Sequence, residues 1–199
     1  MSISIKDGSS GNIAGVTEDH HLQVAGRIDD RIRAESEKGL AFNVNAGFST
    51  LTSANESALL YFSNPAGIGG NDIDIDLIVY NTKTSTGGAG EGEWRMDKNP
   101  TGGTIISDAV AVNVSNWNTG AQDFTTSAAV AYSGGEGKTA TGGTPIPYST
   151  LKAGDRLPLR VPLTIAPGTS IAVFGTPPAG NTSMDVSVAL VGYFATLPI

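Results

Sequence analysis

The sequence predicts an all-β protein: an antiparallel jelly-roll β-sandwich of about eight strands, preceded by an N-terminal arm. Short runs of alternating apolar and polar residues follow one another from residue 41 onward, separated by glycine, proline and asparagine turns. Glycine is frequent, with 26 among 199 residues, and only 16% of residues are charged. No internal repeat of about 20–50 residues is present, which argues against a propeller or a solenoid.

Residues 1–40 differ from the rest, and we predict that they form an arm beside a sandwich domain at 41–199. They hold five of the twelve basic and seven of the nineteen acidic residues. Within 27–38, pairs of opposite charge four residues apart, such as Arg33 and Glu37, favour a short helix that Gly39 would end. An apolar face only two isoleucines wide equally favours an extended charged arm. The arm residues expected to contact a partner are Ile3, Ile5, Leu22, Val24, Arg27, Ile28, Arg31 and Ile32.

The first predicted strands of the domain alternate clearly. In the run at 72–80, acidic and aliphatic residues alternate, so Ile73, Ile75, Leu77 and Val79 are expected on one buried face. A sheet with one buried and one wet face is typical of antiparallel pairing. The predicted strands of this half are residues 41–48, 56–62, 72–80 and 93–98.

The later predicted strands include one with two prolines. Pro158 and Pro162 interrupt an otherwise β-like run. Proline cannot donate to a ladder, so this run is expected to be an edge strand or a bent corner. The predicted strands of this half are residues 104–116, 126–132, 157–165, 171–175 and 184–194.

The composition argues against several classes of partner. The formal net charge is −7, and a nucleic-acid-binding protein needs a basic stripe to displace counterions from phosphate. An anionic membrane surface is an equally poor match. The absence of cysteine excludes disulfides and thiolate zinc sites. No secretory signal and no apolar run of about 20 residues is visible, so we expect a protein that does not cross a membrane by itself.

The candidate metal ligands have simpler interpretations. Asp72, Asp74 and Asp76 would lie about 7 Å apart on one strand face and offer oxygen ligands to calcium. A solvated acidic face that discourages edge pairing is the favoured alternative. His20 and His21 are adjacent and would point in opposite directions along an extended chain, so solvated arm residues are favoured there. We expect neither a metal nor another cofactor.

Catalytic motifs are also weak. Glycine-rich segments at 87–92 and 134–137 suggest a phosphate loop, but Gly134 precedes Gly137 by three residues instead of five, and no helical pattern follows. No Gly-x-Ser-x-Gly nucleophile motif occurs. A polysaccharide-degrading enzyme would need two carboxylates about 5–9.5 Å apart. The scattered candidates are Asp97, Asp123, Asp155 and Asp185. The sequence therefore predicts a protein that is not an enzyme.

Two tryptophans are candidate surface contacts. Trp94 and Trp117 fall near predicted strand ends and loops. Sugars stack on such aromatic rings, although packing in the core and loops is the commoner use. They support an alternative function, carbohydrate binding.

Several sequence segments resemble segments of the jelly-roll head decoration (cement) proteins of tailed bacteriophages. They are Ile5-Lys-Asp-Gly-Ser-Ser-Gly-Asn12, Val16-Thr-Glu-Asp-His-His-Leu22, Glu56-Ser-Ala-Leu-Leu-Tyr-Phe62, Asn99-Pro-Thr-Gly-Gly-Thr-Ile-Ile-Ser107, Tyr132-Ser-Gly-Gly-Glu-Gly137, Thr141-Gly-Gly143, Pro167-Gly-Thr-Ser-Ile-Ala-Val173 and Pro177-Pro-Ala-Gly-Asn-Thr182. The resemblance implies a non-enzymatic homotrimer that is assembled in the host cytoplasm and sits on the outer capsid surface of the virion. It further implies binding between major capsid protein subunits, with the N-terminal segment touching the shell or a neighbour.

Overall fold

The computed structural model describes residues 5–6, 13–16, 22–23, 31–52, 55–65, 71–86, 91–152, 156–178 and 183–195. The chain forms two compact units, Met1–Arg31 and Ile32–Ile199. In the first unit, β1 (Ile5–Lys6), β2 (Ile13–Val16) and β3 (Leu22–Gln23) form a small antiparallel sheet in the order β1-β2-β3. The boundary after residue 40 between arm and domain stays a prediction.

A short helix, α1 (Arg31–Glu37), precedes the sandwich in the chain, so the helical alternative for this segment is confirmed. Arg33 Nε lies 3.3 Å from Glu37 Oε1, as the spacing of four residues predicts. Gly39, two residues after the last helical residue, has a left-handed φ of 73°. The Gly39 amide donates to the Ser36 carbonyl and the Leu40 amide to the Glu35 carbonyl, which closes the last turn.

The second unit is an antiparallel β-sandwich with one insertion. Eight long strands form its two sheets, and segment 99–143 between β7 and β11 contributes three short strands and a helix. In chain order the elements are β4 (Ala41–Leu51), β5 (Ser57–Ser63), β6 (Ile73–Thr86), β7 (Glu91–Lys98), α2 (Thr104–Ser107), β8 (Val110–Ala111), β9 (Ser115–Asn116), β10 (Val130–Ser133), β11 (Thr144–Lys152), β12 (Arg156–Ile165), β13 (Ser170–Thr176) and β14 (Ser183–Phe194).

The predicted all-β antiparallel class is confirmed. One sheet has six strands in the order β11-β7-β13-β5-β10-β8, and the other has five in the order β12-β6-β14-β4-β9. With the eight long strands numbered 1 to 8 along the chain, these orders become 5-4-7-2 and 6-3-8-1. Successive long strands therefore alternate between the sheets, except that β7 pairs directly with β11.

The core lies between the two sheets and is rich in aromatic rings. Phe42 of one sheet stacks on Phe62 of the other, with ring centroids 5.5 Å apart, and also contacts Phe194 at 5.4 Å. Tyr80 and Trp94 meet across the sandwich at 4.7 Å. Each such side chain stabilises the fold by about 1.5–3 kcal/mol through burial, so these contacts hold the sheets face to face.

The prediction that β6 keeps one buried face is wrong from Leu77 onward. Ile73 and Ile75 lie in the main core, but Leu77 packs outside it against Val191 and Tyr193. The register with β14 shifts at this point, because Val191 pairs with Leu77 and the adjacent Gly192 pairs with Ile75. Asp76 is the extra residue of this β-bulge, and one extra residue moves every later side chain to the opposite face.

The single strand predicted at 104–116 is also wrong, since α2, β8 and β9 occupy this range. Ile105, at the centre of α2, is fully buried against Ala58 and Phe174 on the outer face of the six-stranded sheet. In place of the strand predicted at 126–132, the structure has the shorter strand β10, which begins four residues later, at Val130. Strand β11 was not predicted, because Pro145 and Pro147 interrupt its pattern.

Strand β12 confirms the prediction made from its prolines. It is the outermost strand of the five-stranded sheet and pairs with β6. Among the described residues, no helix combines the length and the apolar character needed to cross a bilayer.

Candidate interaction surface

The two lateral edges of the sandwich are built differently. At one edge, β11 and β12 are the outermost strands of their sheets. Both ladders shift register beside prolines, between Ile146 and Ser149 on β11 and between Arg160 and Leu163 on β12. Because proline has no amide hydrogen and a bulge bends its strand, this edge is a poor template for a further strand. Its prolines are Pro145, Pro147, Pro158 and Pro162.

The insertion at 99–143 builds the opposite edge. Its strands β10 and β8 extend the six-stranded sheet beyond β5, and β9 extends the other sheet beyond β4. Strand β9 pairs with only Phe42 and Asn43 of β4. Beyond these two residues, β4 itself forms the edge of the five-stranded sheet.

A glycine-rich segment, 133–138, joins the two sheets along this edge. The amide of Gly134 donates to the Leu59 carbonyl at 2.8 Å, and the Ala58 amide donates to the Lys138 carbonyl at 2.7 Å. Ser49 Oγ of β4 donates to the Gly134 carbonyl at 3.2 Å. A Cβ atom on Gly134 would lie 1.9 Å from the Ala58 carbonyl oxygen. The glycine therefore permits a close backbone approach, and no phosphate needs to be invoked.

The exposed large hydrophobic side chains lie on the strands of this insertion-built edge or directly beside them. Among the described residues they are Phe48, Val110 and Trp117, with exposed fractions of 58%, 57% and 44%. Val110 pairs with Ser133, one residue before the Gly134 that binds β4 next to Phe48. Trp117 directly follows β9, and its amide donates to the Ala41 carbonyl at 3.0 Å. Trp117 and Phe48 lie towards opposite ends of β4, so they are separate apolar positions along this edge that a partner could cover.

A β-bulge turns Phe48 outward. Asn45 pairs with Ala189, and Phe48 pairs with Ser187, so β4 has one residue more than β14 in this interval. The extra residue is accommodated at Gly47, which has a φ of 75°. Without it, Phe48 would alternate in phase with the buried Val44 and face the core. The Lys83 ammonium lies 5.7 Å from the centroid of the exposed ring.

The turn that presents Trp117 is held by asparagine side chains. Asn116 Nδ2 donates to the Gly39 carbonyl at 3.0 Å, and the Asn116 amide donates to Asp123 Oδ1 at 2.9 Å. The Asn118 amide returns to Asn116 Oδ1 at 2.8 Å. A shallow groove of about 310 Å³ lies beside this turn, with Phe124 in its lining. Trp117 is therefore displayed by a rigid support.

Trp94 is not a surface contact, which corrects the prediction. Its side chain is 1% exposed and packs on Tyr80 inside the sandwich. Burial raises the pKa of the Tyr80 hydroxyl well above its ordinary value of 10.0. The alternation of β7 directs Trp94 inward together with Met96, and the sequence pattern near a glycine-rich tip concealed this.

The predicted arm contacts are only partly placed. Ile5 lies in β1, Leu22 in β3, and Arg31 and Ile32 in α1. The other four arm contacts, Ile3, Val24, Arg27 and Ile28, fall outside the described residues, as do His20, His21 and the glycines at 87–90. The role of the arm stays a prediction.

Arg95 forms the main ionic cluster of the described residues. It donates from Nε and Nη2 to the two Glu56 carboxylate oxygens at 2.7 and 2.5 Å and also pairs with Asp97. Its guanidinium lies 4.3 Å from the centroid of the Phe174 ring. The hydrogen bond with Glu56 raises the pKa of Arg95. The guanidinium therefore joins the carboxylate of Asp97 on β7 to that of Glu56, just before β5, on the outer face of the six-stranded sheet.

The remaining candidate carboxylates also have protein partners. Asp123 accepts from the Asn116 amide, and Asp185 accepts from Thr50 Oγ1 at 2.7 Å. Asp155 lies outside the described residues.

The aspartates of β6 face the edge strand β12. Asp74 accepts from Thr164 Oγ1 at 2.6 Å, and Asp76 lies 3.7 Å from Arg160 Nη1. Asp72 is exposed. Within the part of the chain that the structure describes, no three His, Asp or Glu side chains are grouped closely enough to hold a metal ion. We interpret these aspartates as cross-strand partners on a solvated face.

No protein-family model, curated protein or solved structure matches this chain. Its function must therefore be inferred from its own surfaces.

The sequence did not predict two of the three exposed hydrophobic side chains, Phe48 and Val110. Gly47 could have indicated the bulge that exposes Phe48, since a glycine inside a strand often marks a bulge. For Val110 there was no such indication, because it stood within a falsely predicted long strand.

Proposed function

We propose that this chain is a structural virion protein that decorates the outer surface of a bacteriophage capsid and stabilises it by binding between major capsid protein subunits. The observation that carries the proposal is the insertion-built edge, on which Phe48, Val110 and Trp117 are exposed. Such side chains gain free energy when a partner covers them, at about 25 cal/mol per Å² of apolar surface. A protein that acts by contact needs this kind of surface and no reaction centre.

The strand order supports the proposed jelly-roll architecture. Orders of 5-4-7-2 and 6-3-8-1 for the eight long strands correspond to two Greek keys folded into facing sheets. This architecture is common in capsid and lectin domains, so it is compatible with both the main proposal and its alternative.

The N-terminal unit Met1–Arg31 supports the proposed arm, because it forms a compact unit of its own. In the proposed homotrimer, three such arms bind the shell together. Binding of the first arm raises the effective concentration of the other two, so the assembly binds far more tightly than one arm alone. The proposed contacts are the arm residues named from the sequence, from Ile3 to Ile32. Capsid subunits joined in this way resist internal pressure without any chemical step.

The alternative, a tail or baseplate carbohydrate-binding module, loses one of its two aromatic residues because Trp94 is buried. Trp117 still supports it, since an exposed indole on a rigid turn is a suitable stacking platform for a sugar.

Mixing the purified protein with undecorated, expanded capsids of the phage that encodes it tests the proposal. We expect stoichiometric binding, measured by sedimentation, and a trimeric mass by light scattering. The double variant Phe48→Ser, Trp117→Ser should bind at least about tenfold more weakly, because two exposed apolar contacts are lost. Deletion of residues 1–38 should leave a folded domain with weakened capsid binding.

The matched control is Thr144→Ser, which removes an exposed methyl group from the opposite lateral edge and leaves its backbone donors unchanged. It should bind capsids like the wild type. Absence of binding at micromolar protein would overturn the proposed function. Equal losses for the control and for the double variant would overturn the assignment of the insertion-built edge.

A further inference from the structure

A small polar pocket lies where β5 ends and β13 begins. Its volume is about 170 Å³, smaller than the roughly 300–1,000 Å³ of pockets for drug-sized ligands. Its lining residues are Tyr61, Ser63, Asn64, Pro65, Gly168, Thr169 and Ser170. None of them carries a charge, so the pocket suits a small neutral ligand.

Strand geometry places a tyrosine and two serines on the same face of the sheet. Leu60 and Phe62 point into the core, so Tyr61 and Ser63 lie on the outer face of the six-stranded sheet. Ser63 pairs directly with Ser170 of β13, which brings the second hydroxyl beside the first. The pocket therefore has serine hydroxyls at its floor and an aromatic side chain at its wall.

The tyrosine is held in place by a second ring. Tyr61 pairs with Tyr132 of β10, and the two rings stack with centroids 5.6 Å apart and planes 14° apart. The stacking limits rotation of the Tyr61 ring, so little conformational entropy is lost when a ligand packs against it.

The loops around the pocket are fixed by two buried or strained asparagines. Asn64 Nδ2 donates to the carbonyls of Asn71 and Ile165, both at 2.9 Å. The backbone of Asn64 also bonds to the turn at 168–169 in both directions, at 3.0 and 2.8 Å. Asn99, with a left-handed φ of 52°, accepts from the Ser170 amide at 3.0 Å. The pocket is therefore formed before any ligand arrives.

The serine hydroxyls are available to a ligand. Ser170 is largely buried, and Ser63 beside it is partly exposed. Among the described residues, neither the Ser63 nor the Ser170 hydroxyl has a hydrogen-bond partner. Each is both a donor and an acceptor, which matches the hydroxyl groups of a polyol.

We propose that this pocket binds one pyranose ring of a neutral glycan. A sugar ring presents hydroxyls at its edge and C–H groups on its face, which match the serines and the Tyr61 and Pro65 side chains respectively. Binding here does not depend on capsid binding and does not use Trp117. On a virion surface, such a site would give the particle weak adhesion to glycans.

Saturation-transfer NMR on the full-length protein tests this proposal. The probes are glucose, galactose, mannose and N-acetylglucosamine, followed by an array of neutral glycans. We expect at least one sugar to bind, with saturation reaching its ring C–H protons. Ser63→Ala and Ser170→Ala should each weaken binding about tenfold, the effect of losing one hydrogen bond in a site built for it. Tyr61→Ala should abolish binding.

Two control variants distinguish sugar binding in this pocket from sugar stacking on Trp117. Phe48→Ala removes an exposed ring outside the pocket and should bind sugar like the wild type, as should Trp117→Ala. If Tyr61→Ala fails to fold, as judged by circular dichroism, the two serine variants decide the outcome. No binding by the wild type to any probe or array glycan overturns the proposal. Binding that disappears in Trp117→Ala but persists in the serine variants overturns it as well.

Discussion

The two lateral edges of the sandwich solve the same physical problem in opposite ways. An edge strand leaves unpaired amide and carbonyl groups that invite pairing with other chains. At the β11–β12 edge, prolines and register shifts remove or misalign those groups. At the other edge, the insertion covers β5 with β10 and β8 and part of β4 with β9.

The difference is between an edge whose backbone discourages strand pairing and an edge that carries exposed apolar side chains. Val110 lies on the covering strand β8, Trp117 follows the covering strand β9, and Phe48 lies on the uncovered part of β4, and all three are exposed. The proline edge instead carries the polar pairs Thr164–Asp74 and Arg160–Asp76. We infer that specific contacts concentrate at the insertion-built edge because backbone pairing is discouraged at the other.

The largest expected effect comes from a substitution that disrupts the insertion-built edge. Gly134→Ala would place a Cβ atom 1.9 Å from the Ala58 carbonyl oxygen. We expect segment 133–138 to detach and the free energy of unfolding to fall by about 3 kcal/mol or more, since backbone atoms cannot move aside cheaply. Urea unfolding measures this. The control Gly137→Ala meets no atom within 4 Å and has a φ of 73°, so only about 1–2 kcal/mol of strain is expected. Equal losses in both variants would contradict the described docking.

A smaller effect should follow from replacing prolines at the β11–β12 edge. The double variant Pro145→Val, Pro158→Val restores two amide hydrogens on exposed positions of β11 and β12. Stability should change by no more than about 0.5 kcal/mol, but light scattering should show new concentration-dependent association, because an edge with amide donors can pair.

The control for this change is Thr144→Val, which adds an apolar side chain to exposed β11 without adding an amide donor. It should remain as dispersed as the wild type. If the control associates as strongly as the proline variant, the effect comes from hydrophobicity, and the blocking role of the prolines is wrong.

The smallest effect concerns an ion pair beside the insertion-built edge. Lys138 donates to the Asp108 carboxylate, and this hydrogen bond lowers the pKa of Asp108 below its ordinary value of 3.8. A lowered folded-state pKa contributes stability above pH 3.8, and this contribution is lost as the pH falls through the folded-state value.

Asp108→Asn should therefore be slightly less stable than the wild type at neutral pH, and the difference should vanish in acid. Thermal unfolding across this pH range measures it. About 1 M salt should shrink the difference at neutral pH, because exposed pairs are screened. A difference that grows towards acid pH would contradict the assignment.

The parts of the fold predictable from sequence depend on local periodicity and on residue chemistry. Alternation predicted β4, β5 and β14, and the charge pair Arg33–Glu37 predicted α1 as one of two alternatives. Proline chemistry predicted that β12 lies at an edge. The same chemistry concealed β11, since Pro145 and Pro147 interrupt a strand that pairing with β7 nevertheless holds in place.

The candidate surfaces were much less predictable. Trp94 and Trp117 both fall near predicted strand ends and loops, yet one is buried and the other exposed. Phe48 faces outward only because of the bulge at Gly47. The Tyr61 pocket requires Ser63 and Ser170 to pair, and no local pattern records a partner so distant in the chain.

By itself, the sequence determined the all-β class and the edge position of β12, because strand periodicity and proline chemistry act over a few residues. The scarcity of charge is a matter of composition alone. Tertiary structure decided which face Leu77 and Phe48 occupy, where segment 133–138 docks and which hydroxyls share the pocket. Those outcomes depend on bulges and on close approaches such as that of Ser49 to Gly134, which lie 85 residues apart. Contacts at such separations form only when both sheets are in place, so local alternation cannot encode them.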